Sequence, residues 1–166
     1  MISAPPTNII TDNIRKNITE ILRENHAHIR FEDAVAKLPA GLRSVRLEQL
    51  PYSIWQLVEH IRITIWDVLK FCLSADHKSP EWPEGYWTAN PDYVDDETWE
   101  KSLYQIRKNK EDFISLFNDP DVDIYIPFDY GSGQTYIRQA LFIADHTAYH
   151  TGQIIVLRRI LSAWDG

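Results

Sequence analysis

Apolar residues recur at helical spacing in several stretches of the chain, and the segments between them are rich in proline, glycine and aromatic rings. The first stretch places Ile10, Ile14, Ile18, Ile21 and Leu22 on one face and predicts a helix from about Thr11 to His26. A short amphipathic piece, Phe31 to Leu38, stops at Pro39-Ala40-Gly41, and a charged, irregular linker follows from Leu42 to Pro51. The second long helix has the clearest start. Ser53 with Gln56 three residues on is a capping-box pattern, in which each side chain satisfies an orphan backbone N–H. Behind it Ile54, Leu57, Val58, Ile61, Ile65, Val68, Leu69 and Cys72 form a stripe that ends near Ser74.

Residues 76 to 95 contain Pro80, Pro83, Gly85 and Pro91 and so form a long loop. Its rings, Trp82, Tyr86, Trp87 and Tyr93, either cover edges of the core or, from 80 to 93, form a wall or lid over a site. Asp95 or Asp96 caps a third long helix bearing Trp99, Leu103, Ile106, Phe113, Leu116 and Phe117, which Asn118-Asp119-Pro120 ends. Asp123 to Phe128 alternates in polarity, but Pro127 confines it to an edge strand or a loop. After the turn Gly131-Ser132-Gly133, Thr135 caps a fourth long helix that runs to about Trp164. The pattern is that of an all-α protein, and its 166 residues suit a single domain, 1–166.

The fourth long helix carries the most informative polar residues. About 100° per residue puts Phe142, Ile143, His146, His150, Gln153, Leu157, Ile160 and Leu161 on one face. His146 and His150 therefore stack, one turn apart, within an apolar stripe. Burying them with Gln153 costs free energy unless they share a partner, either a metal ion or a buried polar network. Gly152 costs about 1 kcal/mol relative to alanine in mid-helix, and close approach of a neighbouring helix is the simplest reason for it. The far side of the helix bears Ile137, Leu141, Ala144, Ala148 and Ile155, so it is expected to be buried nearly all round, by its own bundle or by a second subunit. A third ligand could come from His60, on the shoulder of the second stripe, but periodicity does not select it over His26, His28 or His77.

Charge and cysteine content narrow the field. Lys and Arg total 17 against 24 Asp and Glu, a net charge of −7, which does not suit sequence-independent binding to a phosphate backbone; nucleic acid is not an expected partner. The lone Cys72 excludes an internal disulfide or a Cys-rich metal site and fits a reducing compartment. Neither a signal peptide nor an apolar run of about 18 residues is recognisable, so a cytoplasmic protein without a membrane span is expected.

Several motifs together resemble the DinB/YfiT-like superfamily. They are Tyr52 to Ile63 with Trp66-Asp67-Val68-Leu69, Ser79 to Trp87, Gly133-Gln134-Thr135, and above all Ala144 to Gln153 continuing through Leu157-Arg158-Arg159. The likeness covers roughly residues 10 to 164 and implies a four-helix bundle with crossover connections, often a homodimer. It implies a three-His site for zinc, nickel or a similar ion, carried here by His60, His146 and His150. Many members have arginine after the last histidine, where this chain has Thr151. The family includes thiol-dependent S-transferases and proteins regarded as metal-dependent hydrolases.

Three imidazoles leave a fourth position open, the pattern of a catalytic zinc site, where a water or a small thiol cosubstrate is activated. The residue after His146 is Thr147, so the His-Glu-x-x-His protease arrangement is absent. Glu59 points about 100° away from His60 and reads as a surface or supporting residue. Asp67, Tyr149 and Gln153 are the weak candidates for catalytic roles, and Asp145 reads as a solvated flank. The expectation is a metal-dependent enzyme acting on a small molecule, as a hydrolase or a thiol S-transferase. The alternative is a metal-binding module in which the ion stabilises the bundle or a dimer.

Overall fold

The computed structural model describes residues 7–24 and 27–164, and within them the regular structure is entirely helical. The helices are α1 (Thr7–Glu24), α2 (Phe31–Val35), α3 (Ile54–Leu73), α4 (Asp96–Phe117) and α5 (Tyr136–Ile160). Single 3-10 turns at Ala40–Leu42 and Glu84–Tyr86 punctuate the connections. The caps form where the sequence places them. Ser53 and Gln56 make the reciprocal capping box, while Asp95 accepts from the Thr98 N–H and Thr135 from the Arg138 N–H.

α1, α3, α4 and α5 form a four-helix bundle in which α3 packs against α4 and α5, and α1 packs against the same two. Consecutive long helices α1 and α3 thus lie on opposite corners, which is why the connection between them is long. α3 and α4 run parallel, since Trp55 meets Trp99 and Glu59 meets Ser102 one turn further along both helices. α3 and α5 run antiparallel: Tyr136 near the start of α5 bonds the Cys72 carbonyl at the end of α3. α1 is antiparallel to α4, with Arg15 held by the Phe117 and Val122 carbonyls and Arg23 paired with Glu111.

Parallel neighbours force a crossover. A helix of 20 residues is about 30 Å long, so the chain leaving α3 must travel that distance back before α4 can begin. Residues 74–95 do this as a strap laid antiparallel along α3. Its bonds run in order: His77 to Asp67, the Tyr86 carbonyl to His60, the Thr88 carbonyl to Gln56, and Asn90 to Ser53. Gly85 permits the tight packing of this strap, since a Cβ there would lie 2.6 Å from the Pro80 Cβ.

The core matches the α3 stripe residue for residue: all eight of its expected members are buried. Other expectations need correction. α1 starts at Thr7, and among its described side chains Ile18 and Leu22 with Arg15 are buried, while Ile10 and Ile21 are exposed. α2 stops at Val35, because Ala36 is already extended. Of the two forms expected for 123–128 the segment takes the loop, in which the buried Ile124 gives its carbonyl to the Ile137 N–H. α5 ends at Ile160, short of Trp164, and Ser162 has a positive φ of 53°. α5 is not buried all round either: Leu141, Val156 and Ile160 are exposed. Gly152 is exposed as well, and a Cβ added to it would meet nothing within 4 Å, so no helix of the same bundle approaches it.

Candidate metal centre

The strap and α5 converge on one histidine of α3. His60, His146 and His150 each offer a ring nitrogen, and these atoms lie within 4.8 Å of one another. The antiparallel pairing of α3 with α5 sets this meeting, because one turn of α5 spans the two rings that face His60. The ring centroids of the trio are 4.5 to 4.8 Å apart. His60 and His150 are buried and His146 is half-buried.

Hydrogen bonds decide which nitrogens face inward. A carbonyl can only accept, so the 2.9 Å contact from His60 Nδ1 to the Tyr86 oxygen puts the proton on Nδ1 and leaves the Nε2 lone pair free. His150 Nδ1 donates in the same way to Gln153 Oε1 at 2.6 Å. His146 Nε2 lies 3.0 Å from His60 Nε2, while its buried Nδ1 has no partner. Trp87 stacks flat on His60, with centroids 4.1 Å apart and planes 4° from parallel, and closes that side to water.

Burial holds all three rings neutral. It lowers the pKa of His60 against the opposing Tyr86 hydrogen bond, and that of His150 against the bond to Gln153. For His146, burial reinforced by the neighbouring His150 and His60 takes the value down to about 3. Three neutral imidazoles with inward lone pairs, no carboxylate among them and one buried nitrogen unpaired make a poor hydrogen-bond network. They make a good donor set for a borderline divalent ion, whose Zn–N bonds of about 2.0–2.1 Å a trio this close can reach with small ring movements. The residues present fit a metal.

A cleft of about 560 Å³ opens beside the trio, lined at one end by His60 and His146 and walled by Pro80, Trp82 and Tyr86 of the strap. From the trio it follows the α3–α5 groove past Thr64, Val68 and Phe142 to Phe71, Gln134 and Arg138. The family model that matches residues 25–154 is that of the DinB superfamily. The chain belongs to the DinB superfamily. No curated protein and no solved structure gives a significant match.

As a DinB-superfamily chain it brings together most, but not all, of the residues singled out in the sequence. Gln153 stands behind His150, and Tyr149 lies edge-on to the same ring but is 64% exposed. Asp67 lines the cleft, yet both its oxygens are engaged, one by Tyr86 Oη and one by His77 Nε2, each at 2.7 Å. His77 is therefore Asp67's partner and stands apart from the trio. His28 is exposed, and His26 lies outside the described residues. Asp145 is exposed, as expected. Glu59 is not at the surface: it is buried, pairs with Arg62 and accepts from Ser102, tying α3 to α4. Cys72 is buried and burial pushes its thiol up to about 12, so it is no nucleophile. Sequence reasoning missed the Tyr86 carbonyl and Arg138. A backbone oxygen has no residue-type signature, and Arg138 looks like any surface cation until the groove is assembled.

Proposed function

We propose that the chain is a metal-dependent enzyme that holds one divalent ion, zinc or nickel, on His60, His146 and His150 and acts on a small molecule as a hydrolase or thiol S-transferase. The observation that carries this reading is the cleft at the histidines' edge. An ion kept only for stability would sit among side chains that close around it. When bound, the ion would supply Lewis acidity and lower the pKa of a water or of a low-molecular-weight thiol cosubstrate.

The chain's own residues then have distinct tasks. Tyr86 and Gln153 fix the tautomers of His60 and His150, so that both present Nε2 to the ion. Trp87, stacked on His60, keeps water from one side of the site, and Trp82 walls the cleft. Asp67 is the acid–base candidate best supported by position, because its carboxylate lines the cleft and shares a hydrogen bond with His77 that can carry a proton. Tyr149, edge-on to His150 and largely exposed, is the remaining candidate for orienting substrate.

We read residues 1–166 as one domain, working in the cytoplasm. No helix among the described residues is long and apolar enough to cross a membrane, and the lone cysteine suits a reducing compartment. We further propose a homodimer through α5, whose exposed Leu141, Tyr149, Val156 and Ile160 lie along the same face as the bare Gly152. The whole reading is tested by metal analysis of protein purified without an affinity tag, followed by assays with and without thiols. Activity that needs bound metal and vanishes in His146→Ala supports it. Metal-free protein with an intact fold and no zinc or nickel uptake would overturn it, and a monomeric mass in light scattering at micromolar concentration would overturn the dimer.

A further inference from the structure

The far end of the cleft is built differently from the metal end. Arg138 lies eight residues before His146 on α5, about 12 Å along the helix axis, and lines the same groove. It sits in the first turn of its helix, where the macrodipole already favours negative charge and a cation is unfavourable without a partner. No acidic residue accompanies it in that turn, and no carboxylate pairs with it among the described residues. Arg138 is exposed at the mouth of the groove, unlike the buried guanidinium groups of Arg15, Arg43 and Arg158, which are bound to carbonyl or carboxylate oxygens.

A second, independent feature marks the groove as a ligand site. Thr64 is only 4% exposed, lines the cleft one turn from His60, and its Oγ1 has no hydrogen-bond partner. A buried hydroxyl left unpaired costs free energy, and a rotation about the Thr64 Cα–Cβ bond that turns Oγ1 into the cleft would let a bound polar group recover it. Between these polar points the walls are apolar: Val68, Phe71, Pro80, Trp82 and Phe142.

The geometry points to a substrate that carries a carboxylate on an apolar stem: its reacting group lies at the histidines beside Thr64, and its carboxylate pairs with Arg138. A carboxylate is favoured over a phosphate by charge. Arg138 is the one permanent cation lining the cleft among the described residues, and it matches a monoanion in a planar, two-bond pairing. Asp67, the carboxylate that shares the cleft, forms no ion pair with Arg138; its oxygens are turned to Tyr86 and His77. This inference rests on the cleft being the substrate site, and it deepens the reading above by naming the substrate class.

The test uses the full chain and two pairs of probes. Octanoate and octanamide are titrated by calorimetry into protein stripped of metal with a chelator. Octanoate should bind about tenfold more tightly, as a charge-assisted pair at a half-open site allows, and the ratio should fall to about one in Arg138→Gln while Arg138→Lys keeps part of it. No octanoate binding, equal Kd values, or a ratio that survives in Arg138→Gln would overturn the inference. Octyl phosphate binding more tightly than octanoate would overturn the choice of carboxylate. In zinc-loaded protein the monohydroxamate of suberic acid should likewise outbind octanohydroxamic acid. If neither hydroxamate responds to zinc while the octanoate preference holds, the carboxylate site stands and the metal reading fails.

Discussion

Glu59 and His60 are consecutive residues on α3, both more than nine-tenths buried, and they belong to opposite kinds of polar cluster. Glu59 sits in a closed one: Arg62 grips both carboxylate oxygens and Ser102 donates to one of them, so charge and hydrogen bonds balance within the protein. His60 sits in an open one. Its outward nitrogen is satisfied by Tyr86, but its inward lone pair meets only other neutral imidazoles, and His146 Nδ1 nearby has no partner at all. A buried cluster that is complete holds helices together. One left incomplete, at the edge of a cleft, is arranged for something that comes from outside.

That contrast can be broken from either side. The largest effect should come from the open cluster: His150→Ala removes one of the three proposed ligands, and zinc binding at micromolar concentration should be lost while circular dichroism stays helical. Calorimetric binding that persists unchanged would mean the trio is a polar network like its neighbour. On the closed side, Glu59→Ala strands Arg62 and Ser102 and should cost about 3 kcal/mol of stability in urea denaturation, without weakening zinc binding in the folded protein. A loss of zinc affinity beyond that expected from unfolding would show that the two clusters are coupled.

Between these extremes lies the support for the proposed ligands. Gln153→Leu leaves the His150 ring unanchored and should weaken zinc binding about 10- to 100-fold, measured by competition with a chelator. The pH response sharpens the comparison further. The three rings have folded-state pKa values below their unfolded ones, so protons bind the unfolded chain more readily. Metal-free protein should therefore keep the full contribution above about 6.5 and lose it progressively as pH falls towards about 3, read as a falling Tm. His146→Leu should flatten that fall; a slope identical to wild type would place its origin elsewhere. Smallest is Tyr86→Phe, which removes one hydrogen bond to Asp67 and should cost about 1 kcal/mol.

Much of this was legible in the chain. The α3 stripe, its capping box and the caps at Asp95 and Thr135 follow from local rules, because a cap or an amphipathic face involves residues within a turn of one another. The pair His146 and His150 is legible for the same reason. What failed were inferences about who lies opposite. Gly152 reads as a contact with a neighbouring helix and faces open space; Glu59 reads as peripheral and is buried against α4. His77 has the same chemistry as His60, and nothing local distinguishes them, yet one pairs with a carboxylate and the other joins the trio.

By itself, then, the sequence determined the four long helices, the capped starts of α3, α4 and α5, and that two histidines stack one turn apart. Its motifs also carried the family likeness that singled out His60. Tertiary structure decided the rest: that α3 and α4 run parallel, that the returning strap must therefore cross His60, and that Tyr86 and Trp87 complete the site from residues with no ligand signature of their own. It also decided that Arg138 and the unpaired Thr64 share a groove with the histidines. Helical periodicity reports only which side a residue faces along its own axis, whereas a binding site is defined by what the bundle's packing brings to meet that side.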